Sequence, residues 1–137
     1  MVNTLSHNWW TLVLRGLAAS SGELIAPHGA AAANALGLTT QVPARSVYLT
    51  SGRSRQFKLG NQTVELRHAP AWQLEMTDRP AGEAVRALAW LGKSEAPMAL
   101  QTLRKRLPSP VLKEIASARP RMPTWLAEQV SQLVTHG

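Results

Sequence analysis

A chain of 137 residues is the length of one domain, and folding at that length buries roughly two thirds of the surface an unfolded chain exposes. Fifteen Lys and Arg against eight Asp and Glu leave a net charge of +7. That charge suits a polyanion or an acidic partner surface, although the same excess also serves solubility. The absence of Cys excludes a disulfide framework, a thiolate nucleophile and a thiolate zinc site, and it suits a cytoplasmic protein.

Trp10, Val13, Leu14 and Leu17 recur at helical spacing and predict a helix over residues 9–19, with Ser6 or Asn8 as its cap. Arg15 interrupts this apolar run and no Lys or Arg precedes it, so it reads as a buried helix rather than a signal peptide. No stretch reaches the ~18 apolar residues of a membrane span. A short strand, Leu24 to Ala26, precedes Pro27, and "HGAAAANALG" reads as a compact helix stopped by Gly37, its alanines suited to close packing against a sheet. "SVYLT", Ser46 to Thr50, is the next strand.

"RQFKLGNQTVELRH" supplies a hairpin. A two-residue loop at Gly60 and Asn61 sets Leu59 opposite Gln62, Phe57 opposite Val64 and Arg55 opposite Leu66. In that register Phe57, Leu59, Val64 and Leu66 share one face, and Gln56, Lys58, Thr63, Glu65 and Arg67 share the other. Helices follow: one from Pro80 to Gly92, one through "SEAPMALQTLRKRL", a shorter one after Ser109 and Pro110, and a last one from Pro123, with "ARPRMP" as a stiff connector. The fold class is therefore α+β: a small, mainly antiparallel sheet with a central hairpin at about residues 46–68, packed against helices, and a helical C-terminal half. Residues 1–137 read as a single domain.

Catalysis finds little to work with. Asp78 is the only Asp, the seven Glu are scattered, and no His pair has the spacing of a helical metal site. His28 before a helix and His68 at a strand end suit structural roles. No phosphate-binding glycine motif occurs, although "SGRSR" offers backbone N–H groups and the cations Arg53 and Arg55 to an anion. No enzyme activity, cofactor or metal is expected.

Nucleic-acid or partner contact is better supported. Arg45, Arg53, Arg55, Lys58 and Arg67 lie on or beside three adjacent strands, and a β-ribbon can lie along a phosphate backbone. The register divides them, because Lys58 and Arg67 share a face with Glu65 while Arg55 points to the core side. The cluster of Arg104, Lys105, Arg106, Arg119 and Arg121 reads as solvated helix ends. Trp72, Trp90 and Trp125 read as core. Trp9 and Trp10 point about 100° apart, which makes one of them a candidate for contact with a partner or with a second copy in a homodimer.

The string "APHGAAAANALGLTTQVPARSVYLTSGRSRQFKLGNQTVELRHAP" resembles the C-terminal region of AbiEi-type antitoxins of bacterial type IV toxin–antitoxin systems, in a branch usually described only as a domain of unknown function. "AANALGLTTQVPA", "VYLT", "SGRSRQ" and "LGNQTVELRH" carry the likeness, which covers Leu24 to about Trp90. Such antitoxins combine an N-terminal DNA-binding winged helix with a domain that counteracts a nucleotidyltransferase-like toxin. The residues before Leu24 are too few for a winged helix, so the resemblance implies an antitoxin-type domain alone, as in a protein from a mobile element. The expected function is a non-enzymatic, antitoxin-like accessory domain acting by protein or nucleic-acid contact. Its contact surface is expected at the Arg-bearing hairpin, with the wall beside Asn34, Thr39 and Thr40 second. The alternative is a stand-alone RNA- or DNA-binding module.

Overall fold

Four strands form one sheet in the order β1–β2–β4–β3, where β1 is Ile25–Pro27, β2 Ser46–Thr50, β3 Arg55–Leu59 and β4 Gln62–His68. The computed structural model describes residues 9–43 and 45–135, except the side chains of Trp9, Trp10, Val134 and Thr135. The hairpin has the register its sequence predicts: Leu59 pairs with Gln62, Phe57 with Val64 and Arg55 with Leu66. Gly60, at φ 66°, takes the left-handed first position of the two-residue turn, which a Cβ would disfavour.

Strand order is where the chain departs from a simple meander. β4 inserts between β3 and β2, pairing antiparallel with the first and parallel with the second, while β1 pairs antiparallel with β2. The sheet is therefore mixed, with two antiparallel ladders and one parallel. Residues 51–54, leaving β2, must cross the end of β4 before β3 begins. Pro27 is tolerated because β1 is an edge strand and needs no donor on its open side.

The two sheet faces are covered unequally. Val64 and Leu66 are fully buried under α1, Trp9–Ser21, whose Leu14 and Leu17 pack on them with Ile25, Tyr48, Phe57 and Leu59. Val13, placed by its spacing on the same apolar stripe, is instead 44% exposed, because one sheet face receives only part of the helix circumference. On the opposite face, Ala26, Leu49, Ala69 and Leu74 form a small buried cluster at one end. The hairpin half of that face stays open, with Gln56, Lys58, Thr63 and Arg67 exposed.

The helix α2, Gly29–Ala35, does not lie on the sheet. Its alanines serve a helix crossing: Ala32 and Ala33 pack on Ala87 of α3, Pro80–Leu91, and a Cβ on Gly29 would stand 2.5 Å from the Arg86 carbonyl oxygen. Small side chains let two backbones approach closely, and a helix offers a straighter partner for that than a twisted sheet. Leu36 caps the C-terminus of α2, and its carbonyl accepts from Arg106 at 3.2 Å.

The largest core lies in the C-terminal half. Val85 and Leu88 of α3 meet Leu100 and Leu103 of α4 (Ala96–Arg106), Ile115 of α5 (Ser109–Ser117), and Leu126 and Val130 of α6 (Thr124–Val130). Leu133 of the one-turn α7, Gln132–Thr135, completes it. "ARPRMP" forms a single 3-10 turn, Arg119–Arg121, and Ala71–Gln73 forms another. Trp72 and Trp125 pack against this core, whereas Trp90 is 36% exposed. Among the described residues no helix is long and apolar enough to cross a membrane.

Candidate contact surface

The loop "SGRS" between β2 and β3 closes beside one of the chain's own carboxylates, which is held by the flanking Arg55 and Thr50 side chains rather than by the loop amides. Glu23, at the exit of α1, accepts from the Arg55 guanidinium at 2.7 Å and from the Thr50 hydroxyl at 2.6 Å. Thr50 Oγ1 in turn accepts from the Gly52 amide at 2.9 Å. A Cβ on Gly52 would run into the Glu23 carboxylate, so a larger residue there would displace that carboxylate from Arg55 and Thr50. Arg55 also donates to the Arg53 carbonyl at 2.7 Å and stands 5.5 Å above the Phe57 ring. The hydrogen bond from Arg55, then that from Thr50, holds the Glu23 carboxyl down at about 2.

The loop is fastened on its other side to the end of β4. The His68 amide donates to Ser54 Oγ at 2.9 Å, and His68 Nδ1 lies 2.7 Å from the Gly52 carbonyl. A carbonyl only accepts, so Nδ1 carries the proton. The Ser51 hydroxyl accepts from the Leu24 amide at 2.9 Å. Arg55, one of the five predicted contact cations, is thereby committed to the fold: its side chain is 15% exposed and Glu23 occupies it.

The remaining four cations reach solvent. Arg53 sits in the exposed loop and Lys58 on the open sheet face, and neither forms an ion pair among the described residues. Arg67 donates from Nε to Glu65 at 2.7 Å, and Arg45, just before β2, approaches the same carboxylate at 3.6 Å. The Arg67 hydrogen bond holds the Glu65 carboxyl below the ordinary carboxylate range and raises Arg67 in return. A polar cleft of about 330 Å³ opens here between Arg45, Gln56, Asn61, Thr63 and Glu65.

His28 lies within electrostatic reach of this patch, and its pKa is lowered first by burial and then by the Arg67 charge, with the Glu65 charge opposing. Its Nδ1 accepts from the Ala30 amide at 3.0 Å, capping α2. The ring therefore serves the fold, and it forms no hydrogen bond to Glu65 among the described residues. At the second candidate wall, the polar groups fasten their own loop: Asn34 Nδ2 donates to the Gln41 carbonyl at 2.8 Å, and Thr39 Oγ1 accepts from the Gln41 amide at 3.2 Å.

The C-terminal cations lie at solvated helix ends as expected, with Arg104, Lys105, Arg106 and Arg121 exposed and Arg119 half-buried; three of them also make polar contacts. Arg121 pairs with Glu75 at 3.0 Å, Arg119 donates to the Ala116 carbonyl at 2.9 Å, and Arg106 ties α4 to α2. The side chains of Trp9 and Trp10, candidates for partner contact, lie outside the described residues. Sequence reasoning missed Glu23. A single acidic residue carries no local motif, and the turn's demand for an anion was the one available signal.

Residues 13–113 match the model of a family described as a family of unknown function, DUF6088. No curated protein and no solved structure matches the chain.

Proposed function

We propose that this chain, which belongs to the DUF6088 family, is a non-enzymatic, antitoxin-like accessory domain of the cytoplasm that acts by contact through the open face of its β3–β4 hairpin. The observation that carries this reading is the unequal covering of the sheet. One face of the hairpin is sealed under α1, while the other leaves Gln56, Lys58, Thr63 and Arg67 exposed, beside Arg45 and Glu65. Charged residues on the open face oppose aggregation through edge strand β3 and leave the surface free for a chosen partner. The antitoxin part of the reading is supported by the likeness of the string from Ala26 to Pro70 to AbiEi-type antitoxins, within which this face lies.

A second reading, a stand-alone nucleic-acid-binding module, is favoured by the charge of the same patch, where three cations surround one carboxylate. Replacing Arg53, Lys58 and Arg67 together by Ala tests both. Loss of protection against a co-expressed nucleotidyltransferase-like toxin, with nucleic-acid binding unchanged, supports protein contact. Loss of nucleic-acid binding supports the module. A folded variant unchanged in both assays removes the hairpin face from consideration.

A further inference from the structure

The register of the sheet fixes the charge layout of the open face. On β4, Thr63, Glu65 and Arg67 project from it in turn; β3 sets Lys58 opposite Thr63 and Gln56 opposite Glu65, and β2 sets Val47 on the other side of Glu65. Glu65 is thus the centre of the array. Lys58, its diagonal neighbour, lies about 7–8 Å away by ordinary sheet geometry. Two guanidiniums from separate chain segments, Arg45 and Arg67, converge on the Glu65 carboxylate from opposite oxygens.

Stability does not account for this convergence. Arg45 and Arg67 are 74% and 46% exposed, and ion pairs so exposed contribute little to folding. What the arrangement does is bring two guanidiniums beside one pair of anionic oxygens, Arg67 by a hydrogen bond and Arg45 by a looser 3.6 Å approach, and guanidinium also meets phosphate in this way. The adjoining cleft supplies the amides of Gln56 and Asn61 and the hydroxyl of Thr63. The cleft is an open depression of about 330 Å³, room for one exposed planar group rather than for an enclosed ligand. Amide and hydroxyl groups match the donor and acceptor edges of an unpaired base, and a guanidinium plane can stack on one.

We propose that Glu65 is an internal stand-in for a backbone phosphate of single-stranded nucleic acid. On binding, a phosphate takes over Arg45 and Arg67, Lys58 neutralises a second phosphate, and an unpaired base enters the cleft beside Gln56 and Asn61. The proposal rests on the contact-surface reading above. It makes Glu65 a brake: the carboxylate competes with every incoming anion, so ligands that fill the cleft as well are favoured over those that offer charge alone. A duplex, whose base edges are already paired, lacks that second interaction.

The test is a titration of the full chain with a fluorescently labelled single-stranded RNA, its duplex, and a labelled polyglutamate of equal charge, at several salt concentrations. Glu65→Gln is expected to bind the single strand roughly 3–10-fold more tightly than the unmodified chain, with a salt slope steeper by about 0.7 for each further phosphate neutralised. The duplex is expected to bind more weakly than the single strand. If the unmodified chain binds RNA, and Lys58→Ala with Arg67→Ala weakens it, but Glu65→Gln does not tighten it, the stand-in role is overturned while the contact surface stands. Tighter binding of polyglutamate by Glu65→Gln, with RNA binding unchanged, assigns the face to an acidic protein and overturns the proposal. No binding by either form at low salt overturns both the proposal and the nucleic-acid reading.

Discussion

Arg55 and Glu23, 32 residues apart in the chain, form a 2.7 Å ion pair that ties the exit of α1 to the start of β3. Both side chains are 15% exposed, and Thr50, fully buried, adds a third hydrogen-bonding group. The turn that crosses the end of β4 thereby closes beside that carboxylate. Ordering those four residues costs conformational entropy, which a charged hydrogen-bond network of this kind offsets.

Replacing Glu23 by Gln should destabilise the fold by about 1.5–3 kcal/mol, the usual range for hydrogen bonds to charged groups. It should also change the acid profile. The folded-state pKa of about 2 lies below the ordinary 4.5, so the unfolded chain binds the extra proton between those values. Glu23 stabilises fully above pH 4.5, and the contribution is lost as pH falls from there toward 2. Urea unfolding at about pH 6, 4 and 3 should give a shallower acid slope for the Gln variant; parallel profiles would count against the network.

Arg53→Ala and Lys58→Ala should leave the midpoint of unfolding nearly unchanged, within about 0.5 kcal/mol, as surface positions do. Arg55→Ala should cost about 1–3 kcal/mol by stranding Glu23. Thermal melts of the three single variants separate the fold-bearing arginine from the solvent-facing cations, and equal losses in all three would contradict that division.

His28 should make α2 sensitive to mild acid. Burial lowers its pKa below the ordinary 6.5, and the neutral ring caps the helix through Nδ1. Its contribution is complete above pH 6.5 and is lost as pH falls through the lower folded-state value, because the unfolded chain takes up the proton first. His28→Ala should cost about 0.5–2 kcal/mol at about pH 7.5, and His28→Asn should recover much of it without the titration. NMR titration of the imidazole gives the direct check: a pKa above 6.5 would contradict the buried, capping role.

Gly29→Ala should destabilise by about 1–3 kcal/mol, an overpacking cost, because its Cβ would meet the Arg86 carbonyl at 2.5 Å and Trp90 Cβ at 2.6 Å. Gly16→Ala, where a Cβ meets nothing, is the matched control and should be neutral or slightly stabilising. Chemical denaturation of both variants measures the crossing of α2 and α3.

Arg86 is a buried cation with few partners: it is 2% exposed, its Nε meets no acceptor among the described residues, and Nη1 reaches the Gln73 carbonyl only at 3.5 Å. Burial lowers its pKa, with the Glu83 and Asp78 charges opposing. Arg86→Met should therefore be neutral or stabilising by about 1 kcal/mol, as replacement of poorly paired buried charge often is. A loss beyond about 2 kcal/mol would show that the guanidinium holds more than these contacts.

Much of the fold is written locally. "KLGNQT" sets the hairpin register because a two-residue turn admits one pairing and alternation then assigns each side chain a face. Helix stops at Gly92 and after Arg106 follow from glycine and proline chemistry of the same kind. The insertion of β4 between β2 and β3 is not legible in this way. Each strand would be equally satisfied by several neighbours, and the choice depends on packing from α1 and from the crossing loop.

The candidate surface divides along the same line. By itself the sequence determined the α+β class, the two faces of the hairpin, and the separation of Arg55 from Lys58 and Arg67, because these depend on periods of about 2 and 3.6 residues that any stretch of chain displays. Only the tertiary structure decided that α2 packs on α3, that Glu23 pairs with Arg55 of "SGRSR", and that Arg45 and Arg67 meet on Glu65. Those relationships join residues far apart in the chain, and pairing over such distances is selected by shape and charge in three dimensions, where no local pattern records it.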